Sequence, residues 1–167
     1  MKKLLERLQI DNQFYYSPLH GRRHYANVMA AGLELAEHYN LNPKLFKYFA
    51  YLHDSCRENE DYDPDHGPRA AEYIESIKDL IDLCRAERWM LQSACSLHTI
   101  AKPWDNNKYT LFEKACFDAD RSDIGRITFK VDPKYLFTQK GKELFTEKDN
   151  MIISKDTDKY KRVCYEL

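Results

Sequence analysis

The chain has 167 residues, 43% hydrophobic and 32% charged, enough apolar mass for one domain with its own core and too much for a disordered chain. Its formal net charge of −1 excludes a global basic field for a nucleic-acid polymer, so any phosphate recognition must come from local Arg and Lys clusters. No apolar run approaches a membrane span, and the stretch from Met1 to Ile10 is too short and too charged for a signal sequence.

Helical periodicity dominates, and strand-like alternation is scarce. A first helix is expected over roughly Lys2 to Phe14, with Leu4, Leu5 and Leu8 on one stripe, broken by Ser17-Pro18. A second runs from about Arg22 to His38 with His24, Val28, Ala31 and Leu35 aligned. Asn42-Pro43 opens a third, which carries Leu45, Phe49, Leu52 and His53 on one face. The acidic stretch from Arg57 to Pro64 reads as a loop, after which Asp65 is expected to cap a fourth helix bearing His66, Ala70, Ile74 and Ile77. A fifth, about Ile81 to Thr99, aligns Leu91, Ala94 or Cys95, and His98, and the loop from Ala101 to Lys108 follows. Thr110-x-x-Glu113 is a capping box for a sixth helix with Phe112, Cys116, Ala119 and Asp120 on one side. Past Asp132-Pro133 the pattern weakens to a polar tail with one short helix near Gly141 to Lys148. The expectation is an all-α, single-domain helical bundle over residues 1–167, with its core over about 17–138 and the tail over 139–167.

Five cysteines, Cys56, Cys84, Cys95, Cys116 and Cys164, form no C-x-x-C pair, and their odd number predicts reduced thiols and a cytoplasmic setting. The polar residues on the apolar stripes are more informative. His24, His53, His66, His98 and Asp120 each continue a face that must be buried, so several of them should meet in the interior. Buried polar groups need partners. Neutral imidazoles converging with carboxylates meet that need by binding a divalent metal. Any one of these histidines alone would read as an ordinary hydrogen-bonded core residue; the set, with His53-Asp54 adjacent at a helix end, favours the metal.

In their order along the chain, these residues resemble the HD superfamily of metal-dependent phosphohydrolases. The matching stretches are Ser17-Pro-Leu-His-Gly-x-x-His24 with Val28, Leu52-His53-Asp54-Ser-x-Arg57, Asp63-Pro-x-His-Gly67, His98-Thr99 and Asp118-Ala-Asp-Arg-x-Asp-x-Gly-Arg126. They span about residues 17 to 138 and look most like a bacterial group of uncharacterised HD proteins. The resemblance implies an HD-domain-like bundle with His24, His53, Asp54 and Asp120 as ligands of one metal. His66 and His98 stand where two-metal members carry further histidines, with Asp54 as the bridge. Two metals, or one metal beside a histidine-lined phosphate pocket, both follow from that. Asp120 is preferred over Asp118 because it shares a face with Phe112 and Cys116. Asp118 and Asp123 are then candidates for orienting a histidine.

Such a donor set suits Mn, Fe, Co, Ni or Zn better than Mg or Ca. The implied activity is hydrolysis of a nucleotide or other small phosphate ester by metal-activated water. Asp54 and His20 are the candidate catalytic residues. Arg57 and Arg121, then Arg22, Arg23 and Lys102, are the candidate phosphate contacts, since arginine offers a bidentate fork to phosphate. Trp104, in the same loop as Lys102, is a candidate to frame a substrate base. Two other readings are a di-iron oxygenase on the same scaffold, which needs both His66 and His98, and a non-catalytic metal-binding or ligand-sensing module. No membrane partner is expected, and the oligomeric state is left open, a homo-oligomer included.

Overall fold

Two fully buried leucines, Leu4 and Leu8, fix the inner face of α1 (Lys2–Asp11) in the computed structural model, which describes residues 1–128 and 130–146. The helix stops before the expected Phe14 because the Asn12 side chain accepts from the Phe14 amide at 2.9 Å and turns the chain. The 18 residues of α2 (Arg22–Tyr39) bury His24, Tyr25, Val28, Met29 and Leu35, and the helix ends at Asn40 in the left-handed conformation. In front of α3 (Pro43–Leu52), the Asn42 side chain accepts from the Lys44 amide at 3.0 Å, as the Asn-Pro start predicts.

The next helix, α4 (His66–Ser76), departs from expectation at its cap. Asp65 makes no side-chain cap bond, because its own backbone is already helical (φ −94°, ψ −2°) and the carboxylate does not reach back over the first turn. The fifth helix, α5 (Arg85–Leu97), begins later than Ile81. Ile81 is extended and buried with Leu83, and the helix starts where the Glu87 carboxylate accepts from the Cys84 amide at 2.8 Å. The loop after α5 contains a 3-10 turn over Pro103–Lys108. The predicted capping box opens α6 (Leu111–Arg121): the Thr110 amide donates to Glu113 at 2.7 Å, and the Glu113 amide donates to the Thr110 hydroxyl at 3.2 Å. A short α7 (Gly125–Thr128) and α8 (Gln139–Thr146) follow; the rest of the expected tail, residues 147–167, lies outside the described residues.

All regular structure among the described residues is helical. The second helix packs against α3 and α6, and α4 packs chiefly on α5, which reaches the others through α3 and α6. Phe46, Phe49, Leu52, Leu91, Phe112 and Phe117 belong to one core shared by these helices. No described helix is long and apolar enough to cross a membrane.

Candidate metal centre

Helix ends, rather than helix middles, carry the polar cluster. His24 lies in the first turn of α2, His53 and Asp54 just beyond α3, His66 at the start of α4, His98 just beyond α5, and Asp120 in the last turn of α6. The apolar stripes that bury these helices bring the ends together at one place. The four histidines are all at least 95% buried, and Asp54 is 3% exposed.

Asp54 divides the cluster in two. Its Oδ2 lies 3.5 Å from His24 Nε2 and 3.6 Å from His53 Nε2. On the same side, Asp120 Oδ1 is 3.2 Å from His24 Nε2 and 3.6 Å from His53 Nε2, and the two imidazoles are 3.1 Å apart. The other oxygen of Asp54, Oδ1, lies 2.9 Å from His66 Nε2 and 3.7 Å from His98 Nε2, and those two nitrogens are 2.8 Å apart. Two groups have ligand atoms all within 4.8 Å of one another and could hold an ion: His24, His53 and Asp120, and His53, Asp54 and His98.

Each imidazole is fixed through its other nitrogen. His53 Nδ1 donates to the Phe49 carbonyl at 3.0 Å, His98 Nδ1 to the Cys95 carbonyl at 2.6 Å and His66 Nδ1 to the Asp63 carbonyl at 2.5 Å. His24 Nδ1 meets Asp123 Oδ2 at 2.8 Å. A carbonyl only accepts, so on His53, His66 and His98 Nδ1 carries a proton and Nε2 can turn a lone pair inward, while on His24 Nδ1 is held by a carboxylate. Four Nε2 atoms and the carboxylate oxygens of Asp54 and Asp120 then face one another in a buried space. Such a donor set fits a divalent cation of the nitrogen- and oxygen-binding class.

The electrostatics agree. Burial opposes a charge on His24, yet Asp120 and Asp123 outweigh it and lift its pKa to about 9, so the site favours positive charge. Asp54 also resists burial, and the surrounding histidines, His53 first, hold it well below the usual carboxylate range. Asp120 follows the same pattern, with hydrogen bonds to His24 and His53 overcoming its desolvation.

The remaining expected site residues divide sharply. Arg57 is buried, and its Nη1 lies 3.6 Å from Asp54 Oδ1, so its guanidinium reaches the centre. His20 is buried beside His24, ring centroids 6.5 Å apart, and its Nδ1 meets Glu60 Oε2 at 2.6 Å. Burial draws His20 below the usual imidazole value against the opposing pull of Glu60. Arg22 and Arg23 are exposed on the first turn of α2. Arg121 turns to backbone carbonyls: it donates to those of Ala101 and Tyr135, both at 2.8 Å, and to that of His98 at 3.4 Å, and its guanidinium lies 4.8 Å from the Phe137 ring centre. Together with Lys102 it lines a largely apolar cavity of about 360 Å³, with Ile124, Val131 and Tyr135, that none of the six clustered residues borders. Trp104 is 71% exposed.

Asp118 does not orient a histidine. It accepts from the Phe137 amide at 2.7 Å and from the Thr138 amide at 2.8 Å, pinning the segment before α8 onto α6. Asp118 and Asp120 are two residues apart and face different sides of the helix. Asp123 does orient one, since the same carboxylate that meets His24 also accepts from Asn27 at 2.6 Å. Glu60 escapes sequence reasoning because it sits in a polar loop with no periodicity to aim it. The one signal was its place in an acidic run next to the His-Asp motif.

No family model matches the chain, and no curated protein matches it. Among solved structures it is similar to one described as a predicted HD superfamily hydrolase from an uncultured Thermotogales bacterium. The TM-score is 0.65, over 86% of this chain and 81% of that one, at 20% sequence identity. The chain therefore has an HD-domain-like fold, as its motifs led us to expect.

Proposed function

We propose that the chain is a metal-dependent hydrolase of a nucleotide or other small phosphate ester. The observation that carries this reading is the division of Asp54, with one oxygen on His24 and His53 and the other on His66 and His98. His24, His53, Asp54 and Asp120 hold the ion, and Mn, Fe, Co, Ni or Zn suits their donors better than Mg. When bound, such an ion supplies Lewis acidity and draws the pKa of water from 15.7 toward about 7.

The chain's own residues do the rest. Asp123 and the Phe49 carbonyl keep the Nε2 atoms of His24 and His53 turned inward. Arg57 places a fixed positive charge where a phosphoryl oxygen would approach Asp54. His20, tied to Glu60 at Nδ1, holds or moves a proton at Nε2 for the leaving group. The likeness to a protein described as a hydrolase supports the reaction class. Cys56, Cys84, Cys95 and Cys116 are free thiols, which supports a reducing, cytoplasmic setting.

A second reading, oxygen chemistry at two irons, draws on the meeting of His66 and His98 at Asp54. One experiment separates the two. Purified protein is analysed for metals and screened against nucleotides and simple phosphate esters with each candidate ion. Metal-dependent phosphate release is the expected result. Full metal loading without phosphate release from any ester would overturn the hydrolase, and oxygen-dependent turnover with two irons would replace it.

A further inference from the structure

We propose that Arg57 is a resident cation of the His66 side of the centre, so that one divalent ion binds tightly on the His24 side and a second binds only weakly. The inference rests on reading the cluster as a metal centre. The Arg57 side chain is only 8% exposed. Its Nη2 donates to the Asp61 carbonyl at 2.6 Å and its Nε to the Asn59 carbonyl at 3.2 Å. The remaining nitrogen, Nη1, lies 3.6 Å from Asp54 Oδ1 and 3.2 and 3.5 Å from the two ring nitrogens of His66. Asp54 is one of the three side chains, with His53 and His98, whose ligand atoms could hold a second ion, and the His66 ring adjoins them, its Nε2 2.8 Å from His98 Nε2.

An ion bonded to those atoms lies about 2.1 Å from each. It would then sit within a few ångströms of a guanidinium that keeps its charge at any working pH. Two carbonyl bonds hold that guanidinium in place, so it cannot swing aside without leaving both unpaired. The carboxylates near the His66 side are engaged elsewhere: Glu60, which is close enough to feel Arg57, is bonded to His20 at 2.6 Å. The nearby Asp63 carboxylate is taken by Arg69 at 2.6 Å, and Asp54 is shared with the other side.

The His24 side is built in the opposite sense. Asp120 and Asp54 both face it, and Asp123 backs it. Arg126 donates to the Leu19 carbonyl at 2.8 Å and lies 3.5 Å from Asp123, so that carboxylate is partly offset, and the surplus on this side comes from Asp120. One side therefore gathers carboxylates, and the other pairs its single shared carboxylate with a fixed cation. Arg57 supplies, beside Asp54, the positive charge that a second ion would otherwise bring to a substrate oxygen.

The test is a manganese titration of chelator-treated protein, followed by calorimetry and by electron paramagnetic resonance. Wild-type protein should show one tight site and a second about 100-fold weaker. Arg57→Gln should bring the two within about tenfold of each other and give the spectrum of an exchange-coupled manganese pair. Arg57→Lys, which keeps the charge, should leave the second site weak. His66→Ala should leave the tight site unchanged. Two equal tight sites in the wild type, or an unchanged ratio in a folded Arg57→Gln, would overturn the role of Arg57 while the centre stands. No manganese binding by the wild type would overturn the centre itself, and the inference with it. If Arg57→Gln does not fold, Arg57→Met takes its place with the same expectation, and two equal tight sites in the wild type still overturn the role of Arg57.

Discussion

The two sides of the centre share Asp54, and His53 belongs to both, but their surroundings differ. The His24 side is carried by α2, α3 and α6, which pack directly on one another through the core. The His66 side is carried by the start of α4 and the end of α5, a pair that packs chiefly on itself. On the first side an imidazole is held by a carboxylate, Asp123, which also meets Arg126, and Asp120 adds a further carboxylate. On the second both imidazoles are held by backbone carbonyls, of Asp63 and Cys95, and a guanidinium lies against one of the rings. Similar donors are thus set in unlike fields, and the field rather than the donor count decides which side takes a cation more firmly.

The largest test of the comparison removes what the sides share. Asp54→Ala takes one carboxylate oxygen from each side and leaves His24, His53, His66 and His98 without it. The expected outcome is loss of bound metal at both sides, read by elemental analysis of the purified variant. A full equivalent retained in a folded Asp54→Ala would end the assignment of this cluster as the metal centre.

A smaller change separates the sides. Asp123→Ala removes the carboxylate that holds His24 Nδ1, and leaves the carbonyl partners of His66 and His98 untouched. Loss of such an orienting partner costs about 10- to 100-fold in metal affinity. The expected result is that weakening at the tight site, with the weaker site unchanged, measured by competition with a chelator of known affinity. Equal weakening at both would mean that the two sides do not respond independently.

How much of this was legible in the chain follows from the range of each interaction. His24, His53, His98 and Asp120 could be found because each continues an apolar stripe, and a helix that buries its leucines must bury the aligned histidine. The capping boxes and the Asn42-Pro43 start are contacts over two to three residues, and the Thr110-Glu113 box formed as read. Arg57 follows His53-Asp54 by one turn, and its guanidinium lies beside Asp54. Arg121 follows Asp120 as closely, yet it turns to carbonyls 14 and 20 residues away. The partner that aims Asp118 is likewise 19 to 20 residues off, and the His20 to Glu60 bond spans 40. Adjacency in sequence places a backbone near the site; which way a long side chain turns is decided by acceptors that only the fold brings near.

Gly67 is where the His66 side can be disturbed with the least change. A Cβ there would lie 2.6 Å from the Cys95 carbonyl oxygen and 3.1 Å from that of Ser96, both backbone atoms of α5 with little room to yield. The Cys95 oxygen is also the acceptor that holds His98 Nδ1 at 2.6 Å. The absence of a side chain at Gly67 therefore lets the start of α4 approach α5 closely enough for His66 and His98 to meet. Gly67→Ala forces the helices apart or displaces that carbonyl, at a cost of about 1–3 kcal/mol typical of overpacking. If His98 takes up the shift, the second manganese site should weaken about tenfold, which corresponds to about 1.4 kcal/mol. The tight site should hold, because α2, α3 and α6 carry it and the alanine contacts none of them. Thermal melting and the same manganese titration read the two effects separately. A destabilised variant with both sites unchanged would show that the α4–α5 contact supports the fold without setting the geometry of His98.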